Sequence, residues 1–198
     1  MKYNKIVPAR FIERPNRFIA YVDLMGKRVK VHVKNTGRCK ELLQDNAQVY
    51  LEMSDNKERS TAYDLVVVDK GGRLVNMDSN APNKVVGEWL AGGGLYEDVS
   101  LVRPETTFGH SRFDFYAESI SGRKAFIEVK GVTLENDDVA AFPDAPSERA
   151  VKHVEELIEA RRQGYEAYLL FVIQMKGIRY MEPNWDTQPA FGQVLQRA

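Results

Sequence analysis

The sequence predicts a mixed α+β protein in which a small N-terminal OB-like β-barrel is followed by an α/β domain. In "KRVKVHVK", residues 27–34, valines alternate with basic residues, as in a strand with one buried face. In "DAPSERAVKHVEELIEARRQG", residues 144–164, apolar residues recur at helical spacing. The glycine pair Gly71-Gly72 separates these two patterns. We therefore place the barrel at residues 1–72 and the α/β domain at residues 73–198.

The barrel is predicted from a series of short strands. "RFIAYVDL" (17–24) and "KRVKVHVK" flank a tight turn at Met25-Gly26, and "AQVYLEM" (47–53) and "AYDLVVVD" (62–69) supply two more strands. One helical turn, "RCKELL" (38–43), lies between them. Short antiparallel strands around one helical turn are typical of barrels that bind oligonucleotides or oligosaccharides. Periodicity alone does not distinguish this type from other small barrels.

The α/β domain begins with a predicted helix in "SNAPNKVVGEWLAGGG" (79–94), which is capped by Asn80 or Ser79 and ends at the glycine run. Strands are expected near 96–102, 111–117 and 124–130. The helix within 144–164 follows, and then "AYLLFVIQM" (167–175), whose continuous apolar run is typical of a central strand buried on both faces. The last residues fall inside an amphipathic helix, so truncation of the C-terminus is one interpretation.

Composition excludes several classes of protein. No apolar run reaches the roughly 18–20 residues of a membrane span, and the N-terminus has no apolar signal-peptide core, so we expect a cytoplasmic location and no membrane partner. The single Cys39 excludes an internal disulfide and a cysteine-based zinc site. The three histidines are scattered, so carboxylates are the expected ligands of any metal, which favours Mg²⁺, Mn²⁺ or Ca²⁺.

The charge is distributed unevenly along the chain. Residues 1–60 contain 13 lysines and arginines against 7 aspartates and glutamates, and the opposite excess in residues 61–198 brings the net charge to zero. A basic barrel permits a polyanionic partner, such as a nucleic acid, without requiring one. The candidate contact residues in the barrel are Arg28, Lys30, Lys34 and Arg38. The alternative interpretation of these residues is an ordinary solvated strand face.

An acidic pair is predicted where "SRFDFY" (111–116) meets "FIEVKG" (126–131). The intervening Ser121-Gly122 is a hairpin turn signal, and a hairpin folded symmetrically about residue 121 places Asp114 opposite Glu128. Directly opposed residues have Cβ atoms about 4.5–5.5 Å apart, so two like charges there destabilise the hairpin unless a cation lies between them. Lys130, one step along the same face, supplies part of that positive charge.

The chemistry that suits this set is metal-assisted hydrolysis of a phosphodiester. Asp114 and Glu128 are the predicted ligands of Mg²⁺ or Mn²⁺, and Lys130 stabilises charge or orients the nucleophile. Glu88, on the first predicted helix, is a third carboxylate that completes the metal shell or acts as a base. The alternative is that Glu128 and Lys130 form an ordinary solvated ion pair.

Two further residues lie beside the apolar stripe of the second predicted helix. Arg149 and His153 are four residues apart, so they share one flank of the helix and are candidates for contact with phosphate. The alternative role for His153 is that of a histidine at the helix boundary, and the alternative for Glu88 is an exposed helix residue.

Five segments together resemble the sugar fermentation stimulation protein A family of bacteria and archaea, in family order and over nearly the whole chain: "HVKNTGRC", "SNAPNKVVGEWL", "HSRFDFY", "FIEVKGVTL" and "FPDAPSERAVKHVEEL". This resemblance implies an OB-like domain followed by a restriction-endonuclease-like domain of the PD-(D/E)XK type. It places the nuclease-like motif on Asp114, Glu128 and Lys130. Ser147 and Arg149-Ala150 depart from the family pattern, which often has a threonine and then Arg-Gly.

The resemblance implies DNA binding and a role in regulating sugar catabolism, notably that of maltose. Two functions therefore follow from the sequence, a metal-dependent nuclease and a DNA-binding regulator that does not cleave. An OB barrel that binds oligosaccharide is a third alternative. The sequence does not specify the oligomeric state.

Overall fold

The computed structural model describes residues 1–35, 37 and 39–198, which form two compact units. The barrel unit comprises residues 2–80 and 173–179, and the α/β unit comprises Met1 with residues 81–172 and 180–198. The turn at Gly71-Gly72, where the sequence analysis placed the domain boundary, joins two paired strands of the barrel unit. The sequence did not predict that residues 173–179 belong to the barrel unit.

The barrel unit contains six strands: β1 (Ile6–Asn16), β2 (Ile19–Leu24), β3 (Lys27–Val33), β4 (Gln48–Met53), β5 (Tyr63–Lys70) and β6 (Arg73–Asn76). β1 pairs with β2 and β4, β2 pairs with β3, and β5 pairs with β4. A parallel contact between β3 and β5, at His32–Asp64 and Val33–Leu65, closes these five strands into a barrel. The predicted OB-like barrel is therefore confirmed.

Local sequence explains both the turns and the core of the barrel. Met25 and Gly26 have φ angles of 54° and 78°, the left-handed conformation that a two-residue hairpin turn between β2 and β3 requires. Alternate side chains of β2 and β3 point inward, among them the fully buried Val22 and Val31. These side chains pack against those of β4 and β5.

The α/β unit contains three helices and seven strands: α1 (Ala81–Ala91), β7 (Val99–Phe108), β8 (Ser111–Ser119), β9 (Lys124–Val132), β10 (Glu135–Asn136), β11 (Val139–Phe142), α2 (Glu148–Arg162), β12 (Glu166–Ile173), β13 (Tyr180–Pro183) and α3 (Pro189–Arg197). The main sheet has the order β12-β9-β8-β7, and β10, β11 and β13 form a small second sheet.

Each face of the main sheet buries its own apolar cluster. The cluster with α1 contains Val86 and Ile127, and the cluster with α2 contains Phe126 and Leu157. The sheet is therefore covered on both sides, as predicted for an α/β domain.

The prediction for "AYLLFVIQM" was wrong in one respect. β12 lies at one end of the main sheet, and all its residues are half-buried rather than buried. A long apolar run indicates a buried strand, but it does not distinguish a central position from an edge that other side chains cover. In the described part of the chain, no helix is both long enough and apolar enough to cross a membrane.

Candidate functional site

The β8–β9 hairpin has the register that the sequence predicts. Four consecutive pairs run from Glu118–Lys124 to Phe115–Ile127, and Asp114 and Glu128 are the next residues along the two strands. Regular pairing ends just before that step. The acidic pair therefore lies where the two strands begin to separate.

The separation is also visible in the packing of β8. Phe113 packs in the cluster with α2, whereas Phe115 packs in the cluster with α1. Residues two apart in a regular strand face the same side, so the strand must twist at Asp114. At this twist the side chain of Asp114 reaches the backbone of β9 and a side chain of α1.

Asp114 is fixed by two hydrogen bonds. The side-chain amide of Asn83, on α1, donates to Asp114 Oδ1 at 2.7 Å, and the backbone N–H of Val129 donates to Oδ2 at 2.7 Å. Burial and the negative charge of Glu128 raise the pKa of Asp114, and the two hydrogen bonds oppose them only in part. Asp114 is thus held in one orientation, and among the described residues no cation fully compensates its charge.

Glu128 is more deeply buried than Asp114 and has unequal oxygens. Lys130 Nζ donates to Glu128 Oε1 at 2.6 Å, and His153 Nδ1 lies 2.5 Å from the same oxygen. Burial by itself raises the pKa of Glu128, but the hydrogen bond from His153 and the charge of Lys130 outweigh it and lower the pKa below the usual range. The carboxylate is therefore negatively charged near neutral pH.

Glu128 Oε2 is buried and has no hydrogen-bond partner among the described residues. Buried carboxylate oxygens are normally paired, so an orphaned one requires an explanation. A divalent cation between Asp114 and Glu128 would supply the missing positive partner, and carboxylate oxygens suit Mg²⁺, Mn²⁺ and Ca²⁺. The described residues contain no group of three or more histidine, cysteine or acidic side chains suited to a metal. The remaining ligands of such a cation would therefore be water or substrate oxygens.

Glu88 does not join the acidic pair. It is exposed and forms an ion pair with the N-terminal amine of Met1. Asn83 is the α1 residue that reaches Asp114, and Glu88 lies five positions further, about 140° around the helix axis. The prediction of Glu88 as a third ligand thus finds no support in this geometry.

His153 bridges Glu128 and Arg149. Arg149 Nε donates to His153 Nε2 at 3.3 Å, so Nε2 acts as the acceptor and Nδ1 carries the proton directed at Glu128. His153 is 5% exposed, whereas Arg149 is exposed. Of the two predicted phosphate contacts, Arg149 therefore has the accessible position, and His153 is a buried group that orients Glu128.

The predicted nucleic-acid contacts in the barrel unit differ in availability. Lys30 is exposed, and Arg28 stacks over the ring of Tyr21 at 4.4 Å while pairing with Glu13. Lys34 lies 3.2–3.7 Å from carboxylates of Glu52, Asp64 and Asp78, so it is a structural cation rather than a free one. Arg38 lies outside the described residues.

Two residues of the α/β unit were missed by the sequence analysis. Asn83 orients Asp114, and Ser111 has a buried hydroxyl without a partner among the described residues. The only signal for Asn83 was its place in the first turn of a predicted helix. Ser111 stood in the quoted "SRFDFY" but carries no charge that would have drawn attention to it.

The protein has two domains, a closed five-stranded OB barrel and an α/β unit. The α/β unit carries Asp114, Glu128 and Lys130 where the strands of the β8–β9 hairpin separate. These features define the class of proteins that combine an OB domain with a restriction-endonuclease-like domain. Family models described as "SfsA N-terminal OB domain" and "Sugar fermentation stimulation protein RE domain" match residues 12–77 and 80–198. The chain belongs to the sugar fermentation stimulation protein (SfsA) family.

Individual relatives agree with this assignment. The sugar fermentation stimulation protein homologues of Clostridium beijerinckii and Desulfitobacterium hafniense are each 54% identical over 198 residues, covering the whole of this chain and 87% and 86% of theirs. A solved structure, "The structure of Pyrococcus Furiosus SfsA in complex with Ca2+", matches with a TM-score of 0.89 at 26% identity. That match covers 100% of this chain and 85% of the other.

Proposed function

We propose that this protein binds nucleic acid and hydrolyses phosphodiester bonds with a divalent cation held by Asp114 and Glu128. The observation that carries the proposal is the buried Oε2 of Glu128, which has no hydrogen-bond partner among the described residues. Glu128 and Asp114 each lie one residue beyond the last regular pair of the β8–β9 hairpin. A carboxylate with only a structural role would be expected to have partners for both oxygens. The cation is the missing partner that best fits two carboxylates and an adjacent lysine.

A bound Mg²⁺ or Mn²⁺ would polarise the phosphate and lower the pKa of a coordinated water. The protein's own groups hold the reacting parts in place. Asn83 and the Val129 N–H fix Asp114, while His153 fixes Glu128. The Lys130 ammonium stabilises negative charge that develops on the phosphate oxygens, the role of a preorganised cation in phosphoryl transfer.

The cation assignment has support beyond the geometry. The structurally similar Pyrococcus furiosus protein was solved in complex with Ca²⁺. Ca²⁺ takes oxygen ligands, as Mg²⁺ and Mn²⁺ do, so a site of this type suits all three ions. We propose Mg²⁺ or Mn²⁺ as the working ion.

The nucleic-acid partner is proposed from the barrel surface. Arg28 with Tyr21 forms a stacked cation–aromatic pair, and Lys30 adds an exposed charge on the same strand. Aromatic and basic groups together are the usual means by which OB barrels hold single strands. We expect DNA as the partner and the cytoplasm as the location.

The test is a cleavage assay on single- and double-stranded DNA and RNA with Mg²⁺, Mn²⁺ or EDTA. We expect cleavage with either cation, none with EDTA, and a loss of at least about a hundredfold in rate for Glu128→Gln. The matched control is Glu97→Gln, an exposed glutamate of the same unit, which should cleave like the wild type. Equal cleavage by Glu128→Gln and the wild type would contradict the proposal.

A DNA-binding regulator without cleavage is the second candidate, as a regulator of sugar (maltose) catabolism. One observation in its favour is that Lys130, paired with Glu128 Oε1, already compensates part of the acidic charge. A second is that the described residues offer no group of three or more metal-binding side chains. Binding driven by phosphate contacts should weaken steeply with salt. Salt-dependent binding without cleavage under any metal condition would select this candidate.

A further inference from the structure

The α/β unit has an open cavity of about 540 Å³ beside the first turns of α2. Its lining includes the turn between β7 and β8, at His110 and Ser111, and the α2 residues Arg149, Lys152 and His153. The lining therefore includes the histidine that holds Glu128, whereas neither Asp114 nor Glu128 lines the cavity. It is separate from the carboxylate oxygens that would hold a metal.

Ser111 is the observation that marks this cavity as a ligand site. The residue is 5% exposed, and its hydroxyl has no hydrogen-bond partner among the described residues. A buried hydroxyl without a partner costs stability, so this one requires an explanation. A ligand oxygen in the cavity would satisfy it.

Arg149 supplies a cation directed at the same cavity. Its Nε is used by His153, but its two terminal nitrogens have no partner among the described residues. Arginine terminal nitrogens bind phosphate through paired, charge-assisted hydrogen bonds. The start of α2 adds the positive end of the helix dipole, which favours an anion, and Ser147 Oγ already accepts from the Ala150 N–H there.

The other charged side chains of the cavity wall each have at least one partner. Arg112 pairs with Glu105 at 2.7 Å, and Lys152 Nζ donates to the carbonyl of His110 at 3.0 Å. Two acidic residues also line the wall, and each has its own partner: Gln188 donates to Glu148, and Arg197 pairs with Glu155. Arg149 is therefore the wall arginine whose terminal nitrogens have no partner among the described residues, and Lys152, which uses one of its three N–H donors, adds a second positive charge.

We propose that this cavity binds a phosphate group of a nucleic-acid strand, with Arg149 as the main cation and the Ser111 hydroxyl as a donor. This rests on the proposed function, and it specifies where a second phosphate of the substrate is held. The chain of hydrogen bonds from Arg149 through His153 to Glu128 means that a phosphate in the cavity would steady the side chain of the proposed metal ligand.

The test measures binding of a short fluorescent single-stranded oligonucleotide in EDTA, so that cleavage does not interfere. We expect Arg149→Gln to raise Kd about tenfold. It should also reduce the slope of log K against log salt by about 0.7, the value for one lost phosphate contact. The matched control is Arg161→Gln, an exposed arginine near the end of the same helix, which should leave Kd and slope unchanged.

Ser111→Ala separates a ligand role from a structural one. We expect weaker oligonucleotide binding, by about threefold, together with a melting temperature equal to or above that of the wild type, because the substitution removes an unsatisfied buried group. A lower melting temperature with unchanged Kd would assign Ser111 to structure. Unchanged Kd for both Arg149→Gln and Ser111→Ala, or no binding by the wild type, would overturn the inference.

The same oligonucleotide with a 5′-phosphate or a 5′-hydroxyl distinguishes two sources of the phosphate. A preference for the 5′-phosphate that disappears in Arg149→Gln assigns the cavity to a strand terminus, and equal binding assigns it to an internal phosphate. Cleavage measured on the same proteins keeps the two proposals apart. A wild type that binds through Arg149 but never cleaves retains the phosphate cavity and rejects hydrolysis.

Discussion

Asp64 in the barrel unit and Glu128 in the α/β unit are both buried carboxylates with cationic neighbours, yet only Asp64 has partners for both oxygens. Arg59 donates to both, at 2.6 and 3.0 Å, while His32 lies 2.9 Å from one oxygen and Lys34 3.2 Å from the other. Glu128 uses Oε1 for Lys130 and His153 and leaves Oε2 without a partner among the described residues.

This difference distinguishes a structural charge from a candidate functional one. A fully paired buried carboxylate gains nothing from a ligand, and removing it leaves its partners uncompensated. A half-paired one accepts a ligand at the vacant oxygen and tolerates loss of its charge more easily. Burial and ion pairing are common to both residues, so neither property alone identifies the site.

The largest expected contrast is in stability. Asp64→Asn should lower the free energy of unfolding by about 3 kcal/mol, because it leaves Arg59 and Lys34 without their buried counter-charge. Glu128→Gln should lower it by a smaller amount, about 1 kcal/mol, because Lys130 loses its counter-charge while the amide oxygen still accepts from Lys130 and His153 and repulsion with Asp114 is relieved. Urea unfolding at neutral pH measures both, and a larger loss for Glu128→Gln would reverse the assignment of the two carboxylates.

The second contrast is in acid. Burial alone would raise the pKa of Asp64, but the hydrogen bonds from Arg59 and His32 and the charge of Lys34 outweigh it and hold the pKa at about 2, below the ordinary 3.8. Because the folded pKa is the lower one, the stabilisation is complete above pH 3.8 and is lost as the pH falls through about 2.

That shift corresponds to about 2 kcal/mol of stability lost from the wild type across this acid range. Asp64→Asn lacks this titrating carboxyl, so its free energy of unfolding should fall by about 2 kcal/mol less over the same pH range. The difference between the two proteins, measured by urea unfolding between neutral pH and pH 2, isolates Asp64 from the other acidic groups. If the free energy of unfolding fell equally with pH in the wild type and the variant, Asp64 would not be the source of this pH dependence.

The sequence was sufficient for the register of the β8–β9 hairpin because that register depends on local rules. Alternation of side chains and a glycine-containing turn determined the register, and the observed pairs from Glu118–Lys124 to Phe115–Ile127 follow it. The first helix was also predicted, and it ends at Ala91 before the glycine run. Short-range chemistry fixed these features.

The sequence was insufficient where the outcome depends on which face of one element meets another. Glu88 and Asn83 are both polar residues of α1, and only the packing of the helix on the sheet decides that Asn83 reaches Asp114. Likewise, Lys34 looked like another basic residue on the exposed face of β3, but three carboxylates surround it, from residues far apart in sequence. Long-range contacts of this kind leave no periodic signal.

Lys30 and Lys34 provide a smaller contrast within the barrel unit. Lys30→Gln should weaken oligonucleotide binding a few-fold and reduce the salt slope by about 0.7, because it removes one exposed phosphate contact. Lys34→Gln should leave that slope unchanged and lower the free energy of unfolding by about 2 kcal/mol, since three carboxylates lose a shared cation. Fluorescence anisotropy at several salt concentrations measures the slope, and urea unfolding measures the stability. If Lys34→Gln reduced the salt slope and left stability unchanged, Lys34 would be a nucleic-acid contact after all.

Asn83 and Glu88 provide the smallest and most local contrast, on opposite sides of α1. Asn83→Ala removes the donor to Asp114 Oδ1, so we expect a loss of about 1 kcal/mol in stability and weaker stabilisation by added Mn²⁺. Glu88→Ala removes an exposed charge paired with the N-terminal amine, so stability should change by less than about 0.5 kcal/mol and the Mn²⁺ effect should persist. Thermal unfolding with and without Mn²⁺ measures both. If Glu88→Ala abolished the Mn²⁺ effect, the acidic residue of α1 would belong to the site after all, and the side chain would have to leave the position it has here.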